Sequence, residues 1–539
     1  MTTASELHFS PRPNRAHEIP WRPWSEAAFA EARAADRPIL LSISAVWCHW
    51  CHVMDETTYS DPKVIDLISR TYVPIRVDND VRPDINQRYN MGGWPTTAFL
   101  TPEGDILTGA TYLPPEQLAD ALIKVAGHFR DHRPEIAATV LEGRRRAGLQ
   151  VAASAGSLDP GQVDRVLGAV EQAYDREYGG FGVAPKFPQT DAICLLAEQS
   201  TVRSEPALME MARHTLAQMA GGGTYDRVED GFFRYSTTQD WSVPHFEKML
   251  EDHGGLLSAL ALTGQAEVLD GAMRYLRAVL RDPETGLYAG SQDADEHYYA
   301  QDRAGRAALT PPYVDRRVYV AWNLRLAVAL HEAGRRLARP DLTGEGVDLA
   351  RTVLDRYAAP DGGVLHTDGV GGQLADQVWA LLACVRIGEE TRARSLAGHL
   401  AEAYADAGLG GFFDRTAGDD LGRLGERLKP LDENAVAAIA LDELGESELA
   451  RRALESVAAL PRRYGLMAAV YARALDRVRR EPVKVTTTDP GLSAAALAVY
   501  PYAVIEAAGG ARAVVCVGTT CHAPVATAAE LQELLTQRA

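Results

Sequence analysis

Two cysteines separated by two residues, between a short apolar run and a helical pattern, constrain this chain more than any other feature. Pro38 to Ser44 reads as a buried strand. Trp47-Cys48-His49-Trp50-Cys51 follows at once, and Val53 to Arg70 carries helical spacing through Val53, Met54, Tyr59, Val64, Ile65, Leu67 and Ile68. A CxxC at a strand-to-helix turn is the usual construction of a redox-active dithiol. Its first cysteine stands at a helix N-terminus, where the dipole favours thiolate over thiol. Thiolate is the species that attacks a disulfide. Cys48 is therefore expected to be the more exposed, attacking thiol and Cys51 the resolving one. Three rival readings stay open on the same residues. Cys48-x-x-Cys51-His52 has the spacing of c-type haem attachment, but the N-terminus lacks the charged-then-apolar pattern of an export signal. Cys48, His49, Cys51 and His52 are zinc-ligand types, though crowded into one turn. Two inert buried thiols are the third.

The surrounding order supports the dithiol. A helix is expected over Trp21 to Ala35, with Trp24, Ala28 and Ala32 on one face. After the dithiol and one long helix, Tyr72 to Val77 reads as a second strand. Gly92-Gly93-Trp94-Pro95 is a turn, Thr96 to Leu100 a third strand, Pro102 to Asp105 a hairpin turn and Ile106 to Ala110 a fourth strand. Pro115 to Phe129 closes the domain as a helix. This order is that of a thioredoxin fold. Pro95 opens the third strand, where a cis proline is expected to face the dithiol and offer its backbone to an extended substrate, with an ordinary turn proline as the alternative. Trp47 and Trp50 flank the thiols and are expected, with Pro95, to position that substrate.

Residues 131–160 read as a helical tail and linker. From Leu158 to about Arg480 the chain is nearly all helix, punctuated by glycine-aromatic turns at Gly180, Gly231, Gly286, Gly362 and Gly410, in steps of 51, 55, 76 and 48. Such a period in a helical region means stacked helix pairs, here a closed ring of about six hairpins, with an open solenoid as the alternative. Polar residues gather after these turns. Lys186, Arg234, Tyr235, His245, Glu247, Lys248, Asp293 and Asp295 are the candidate lining of a pocket at one mouth. Glu247 with Asp293 or Asp295 has the makings of an acid–base pair, and His245 or His253 of a proton-transfer partner. The competing expectation is that such groups hold loops together or cap helices. From Val483 the texture changes to strand, helix, two strands and helix, a small α/β appendage. Its Cys516 and Cys521 read as two partly buried thiols, or else as a relay pair for Cys48 and Cys51. Cys194 and Cys384 read as core.

A formal net charge of −18 argues against nucleic-acid and anionic-membrane partners. No apolar run approaches the roughly 18 residues of a membrane span. Six cysteines are too few for a disulfide scaffold in 539 residues, so a reducing, cytoplasmic location is expected. No metal and no cofactor are expected.

The stretches SISAVWCHWCHVMDETTYSDPKV, GGWPTTAFLTPEGDILTGATYLP, GFGVAPKFPQ, GFFRYSTTQDWSVPHFEKMLED and GSQDADE together resemble one family, the two-domain group called thioredoxin-domain or spermatogenesis-associated-protein-like. The resemblance implies a thioredoxin-like domain fused to an (α/α)6 barrel akin to six-hairpin glycosidases and sugar 2-epimerases, and no particular reaction. The chain departs from the family where EHYYAQDRAGRAALTPPYVDRRVYVAWN shortens an insertion while keeping Trp322 and Asn323, and where KPLDENAVAAIA lacks a Pro-Ser-Gly after Asp432. The expected architecture is a multidomain α/β plus all-α chain: residues 1–150 thioredoxin-like with an N-terminal arm, 151–480 the barrel, 481–539 the appendage. The expected function is thiol–disulfide oxidoreduction at Cys48/Cys51, on a protein or small-molecule disulfide, with the barrel binding substrate or client. The alternative is a carbohydrate-active or sugar-binding protein working at the barrel mouth, with the thioredoxin-like domain as scaffold.

Overall fold

The structure is a computed structural model and describes residues 7–508 and 510–538. The chain divides into two compact units, one of residues up to 152 joined by 415–428, the other of 153–414 and 429 onward.

In the first unit, strand β1 (Ile39–Ser44) is buried at every position. It pairs parallel with β2 (Val73–Asp78) and antiparallel with β3 (Thr96–Leu100), which carries β4 (Ile106–Ala110) on its far side. This β2-β1-β3-β4 sheet is the thioredoxin topology. Pro74 falls in β2, an edge strand, where a missing N–H is tolerated. Helix α1 (Glu26–Ala35) starts at Ser25, whose side chain accepts from the Ala28 N–H, and stops at Asp36 in the left-handed region. The expected long helix after the dithiol is two helices, α2 (His49–Glu56) and α3 (Pro62–Thr71). The break has a local cause. Thr57 and Thr58 are β-branched, and Asp61 caps Pro62, which starts α3 as a first-turn proline. A short helix α4 (Pro83–Tyr89), not expected from the sequence, follows β2, and α5 (Pro115–Asp131) closes the unit.

The sheet's two faces build two cores. Ile39, Leu41 and Ile43 point to one with Phe29, Ile85 and Tyr89, and Leu40 to the other with Met54, Tyr59, Ile68 and Leu122. The first of these cores is completed by residues 415–428, remote in sequence. Leu424 is buried in it and Leu421 packs against it. Arg88 Nε and Nη2 donate to the carbonyls of Arg423 (3.0 Å) and Glu426 (2.8 Å), and Tyr89 Oη accepts from the Arg423 N–H (2.7 Å). Gly422 has φ +60°, and a Cβ there would stand 2.5 Å from Tyr89 Oη, so only glycine fits.

In the second unit, six inner helices, Thr190–Arg203, Leu250–Thr263, Val320–Arg336, Leu374–Ile387, Leu431–Leu444 and Ala469–Val478, each pack on the next, and the last returns to the first. Six outer helices, Pro206–Gly221, Ala266–Tyr275, Pro340–Arg356, Glu390–His399, Ser447–Glu455 and Gly161–Ala173, back them one for one. The ring is therefore closed, an (α/α)6 barrel and not a solenoid. After it comes a four-stranded sheet in the order Val504–Glu506, Val483–Thr486, Val514–Val517, Thr520–Cys521, covered by helices Pro490–Val499 and Ala528–Arg538. Cys516 and Cys521 are not separate thiols. They face each other in the last antiparallel pair and form a disulfide. Among the described residues no helix is long and apolar enough to cross a membrane.

Candidate functional site

Cys48 is the N-cap of α2, and its Sγ accepts the Cys51 N–H at 3.1 Å. The two cysteines form a disulfide. Cys48 is 4% exposed and Cys51 2%, so the expected difference in exposure is small. What distinguishes them is position, because Cys48 caps the helix start, at the positive end of its dipole, and Cys51 lies one turn inside. His52 adds no charge there. Burial, then the neighbouring His8, holds its imidazole down to about 3, so it is neutral at ordinary pH. The far end of α2 is anchored to the sheet by Asp55, which takes both Arg76 Nη1 (2.8 Å) and Nη2 (2.9 Å) in a buried bidentate pair. The Ser10 N–H also donates to Asp55, tying the N-terminal arm to the same helix.

Aromatic groups ring the dithiol. Trp47 donates its Nε1–H to Asp80 (2.7 Å) and meets Trp94 edge to face at 5.5 Å, and Trp94 donates to Asn86. That contact sets the 94–95 loop beside the residue preceding Cys48. The Trp94–Pro95 peptide bond is cis, and Pro95 leads directly into β3. Trp50, 48% exposed, lies 5.2 Å from Tyr112. The buried sulfurs thus stand at a helix start between Trp47, which reaches the Trp94–Pro95 loop, and the half-exposed Trp50.

The eight candidate barrel residues divide. Lys186 is fully buried, with Nζ on Asp175 (2.5 Å) and the Gly179 carbonyl (2.8 Å). Lys248 repeats this on Asp226 (2.8 Å) and the Asp230 carbonyl (2.9 Å), and Lys429 repeats it on Asp406 and the Gly410 carbonyl. Burial lowers the Lys248 ammonium to about 8 even beside Asp226. Each lysine thus locks one glycine-aromatic turn. Tyr235, His245 and Glu247 do come together. His245 stacks on Tyr235 at 4.9 Å, its Nδ1 contacts Glu247, and the Arg234 N–H donates to the Glu247 carbonyl. Asp293 is buried and accepts the Ala294 N–H, while Asp295 caps the short helix Glu296–Tyr299. His253 also holds a turn. Its Nε2 accepts from the Phe232 N–H (3.0 Å), as Asn323 does for Tyr288 (2.9 Å), Gln377 for Val364 (2.9 Å) and Asn434 for Phe412 (2.8 Å). On four of the six inner helices one polar side chain clamps the preceding turn, which is the physical content of the sequence repeat.

None of the eight lines the barrel's axial cavity of about 230 Å³. At one end its walls are the first turns of inner helices, with Asp191, Glu251, Trp322, Arg325, Asp432 and Glu433. Arginines and carboxylates also pair across the inner helices: Arg473 with Asp191 (2.6 Å) and Glu198 (2.8 Å), Arg386 with Glu332 (2.5 Å), Arg477 with Glu443 (2.7 Å). Loss of bulk solvent inside the barrel raises Asp432 to about 6 although its residue is exposed along the cavity, with Asp191 adding to it, and the half-buried Glu433 to about 7, with Asp432 adding to it. Asp252, adjacent to Glu251, is raised by burial to about 7, and its Oδ2 is buried without a hydrogen-bond partner among the described residues. The signal for this site was in the sequence as acidic residues on otherwise Ala/Leu helix starts, Leu250-Glu251-Asp252 and Leu431-Asp432-Glu433. Among the described residues no group of three or more His, Cys, Asp or Glu side chains is arranged to hold a metal ion.

A carboxyl whose folded value is raised holds its proton more tightly folded than unfolded. Its contribution is complete below the unfolded value near 4 and is lost as pH rises through the folded value near 7. Asp252→Asn, which cannot ionise, is therefore expected to match the parent in melting temperature only below about pH 4 and to exceed it near pH 8. The gain is about 2 kcal/mol, roughly half the full linkage value because solvent partly reaches the group. Equal melting temperatures at both pH values would remove the buried-carboxyl assignment.

A family model described as "Protein of unknown function, DUF255" (Thioredox_DsbH) matches residues 11–143. Spermatogenesis-associated protein 20 of Homo sapiens is 34% identical over 310 residues, 51% of this chain and 39% of that protein. The match thus spans about two-fifths of the relative's length. Thiol:disulfide interchange protein DsbD 1 of Pseudomonas aeruginosa is 37% identical over 84 residues, 15% of this chain and 14% of that one. Among solved structures, D-mannose isomerase aligns with 58% of this chain and 96% of its own, at 12% identity and a TM-score of 0.47.

Proposed function

We propose that this chain is a thiol–disulfide oxidoreductase acting through Cys48 and Cys51, with the helical barrel binding its substrate or client. The observation that carries this reading is Cys48 as the N-cap of α2, accepting the Cys51 N–H, in a domain of thioredoxin topology. In the reduced protein the Cys48 thiolate attacks one sulfur of a substrate disulfide and forms a mixed disulfide, and the other substrate sulfur leaves as a thiolate. Cys51 then attacks Cys48 Sγ, releasing the reduced substrate and restoring the internal disulfide. Trp50 and the Pro95 loop hold the substrate chain, and the water-poor surroundings of the sulfurs favour exchange over solvent reaction. The test is equilibration in glutathione buffers followed by acid quenching and alkylation. A two-electron transition of Cys48/Cys51 between roughly −320 and −120 mV is expected. A pair that stays fully oxidised or fully reduced across that range overturns the proposal.

The cavity favours a second reading. Carboxyls titrating near neutrality, beside Trp322, Trp379 and Arg325, suit a polyhydroxylated ring: the indoles offer faces for stacking and the half-protonated carboxyls both donate and accept. In this reading the barrel is carbohydrate-binding or carbohydrate-active and the thioredoxin-like domain is a scaffold. A panel of sugars, amino sugars and polyols should contain a compound that raises the barrel's melting temperature, and the shift should vanish in Glu433→Gln. A panel with no such compound counts against it.

A further inference from the structure

We infer that the Cys516–Cys521 pair is a second thiol–disulfide exchange site, open to small alkyl thiols of the glutathione class and independent of Cys48/Cys51. Strands Val514–Val517 and Thr520–Cys521 form the outermost pair of the appendage sheet, with Cys516 opposite Cys521 and Val517 opposite Thr520. Cys521 is exposed and Cys516 half-buried. Nothing about the hairpin requires the bridge. Gly518 at φ +55° closes the two-residue turn. Below the cysteines, the His522 N–H donates to the Val515 carbonyl (2.9 Å), and Ala513 and Val525 exchange two hydrogen bonds (2.9 Å each). On its other side Val514–Val517 pairs with Val483–Thr486 at four positions, and Ala513 and Val515 are buried in the appendage core.

A disulfide stabilises by the chain entropy it removes, and this one, with a sequence separation of 5, closes one of the short loops from which the least is gained. A bridge that adds little stability and stands at an exposed sheet edge is placed for chemistry. The other two cysteines do not compete: Cys194 and Cys384 are buried.

The step balances with the thiol alone. A thiolate from solution attacks the exposed Cys521 Sγ, forming a mixed disulfide. The bond to Cys516 breaks and Cys516 leaves as a thiolate that takes a proton from water. A second thiol then attacks the mixed disulfide, releasing the small-molecule disulfide and leaving both cysteines reduced. The reverse sequence, driven by that small-molecule disulfide, restores the bridge.

The experiment uses the full chain with Cys48→Ser and Cys51→Ser, so its outcome is separate from that of the proposed function. In about 10 mM glutathione at neutral pH, alkylation and mass spectrometry should show Cys516 and Cys521 reduced in the folded protein, with the melting temperature essentially unchanged. Adding Cys516→Ser should let oxidised glutathione add one glutathionyl mass at Cys521. Adding Cys521→Ser instead should give roughly tenfold less at Cys516. A bridge that resists reduction until the protein unfolds overturns the inference. So does a reduction that lowers the melting temperature by several degrees, because either result makes the bridge a structural staple.

Discussion

Cys48→Ser is expected to abolish disulfide exchange at the N-terminal domain, a loss on the order of a thousandfold or more, while Cys51→Ser stalls it one step later. The asymmetry follows from geometry. Only Cys48 occupies the cap of α2, where the positive end of the helix dipole and the Cys51 N–H at 3.1 Å stabilise a thiolate. A serine hydroxyl at that cap accepts the same hydrogen bonds, so the helix survives, but it does not ionise and does not attack sulfur. Cys51→Ser leaves the attack intact and removes the resolving thiol, so the mixed disulfide on Cys48 should accumulate and be visible by mass. His52 supplies no compensation, since burial keeps its imidazole neutral. Equal exchange rates for the parent and Cys48→Ser would mean the chemistry is elsewhere.

Replacing residues 415–428 with a glycine-serine linker is expected to destabilise the N-terminal unit by about 5 kcal/mol. That is a large part of what holds a domain of this size together. The loss has identifiable parts. Leu424 leaves a core that includes Trp24, Phe29 and Tyr89, at about 2–4 kcal/mol for a buried leucine. Three hydrogen bonds, two from Arg88 and one to Tyr89 Oη, contribute about 1 kcal/mol each, and Arg88, 7% exposed, loses carbonyl partners it has in the fold. Leu424→Ala should show the first part alone. The measurement is chemical unfolding followed by tryptophan fluorescence, with limited proteolysis separating the units. The chain leaves the barrel unit after Asp414 and re-enters it at Lys429, so the barrel's own transition should move less. An unchanged midpoint for the N-terminal unit would show that the segment merely lies on it.

The dithiol was legible because its chemistry is local. Cys48, Cys51, the strand before them and the helix after them are one continuous stretch, and Pro95 marks itself by opening the third strand. The ring was legible because its turns repeat. The polar residues after those turns were harder to interpret. Lys186 and Lys248 gave the same signal as ligand-binding lysines, because locking a buried turn and holding a ligand both call for a charged group beside aromatics. The single long helix expected after Cys51 failed at Asp61-Pro62, a cap-and-proline start that apolar spacing overrides on paper and sterics does not.

The sequence by itself determined which chemistry is available, since strand and helix periods, turn residues and a CxxC depend on neighbours along the chain. Only the tertiary structure decided which polar groups share a cavity, that Leu424 completes a core begun at Trp24, and that Cys516 bonds to Cys521. The reason is physical. Asp191, Glu251, Arg325 and Glu433 acquire a common environment only when the helix ring closes, and burial, which pushes Glu433 to about 7, belongs to the folded chain and to no segment of it.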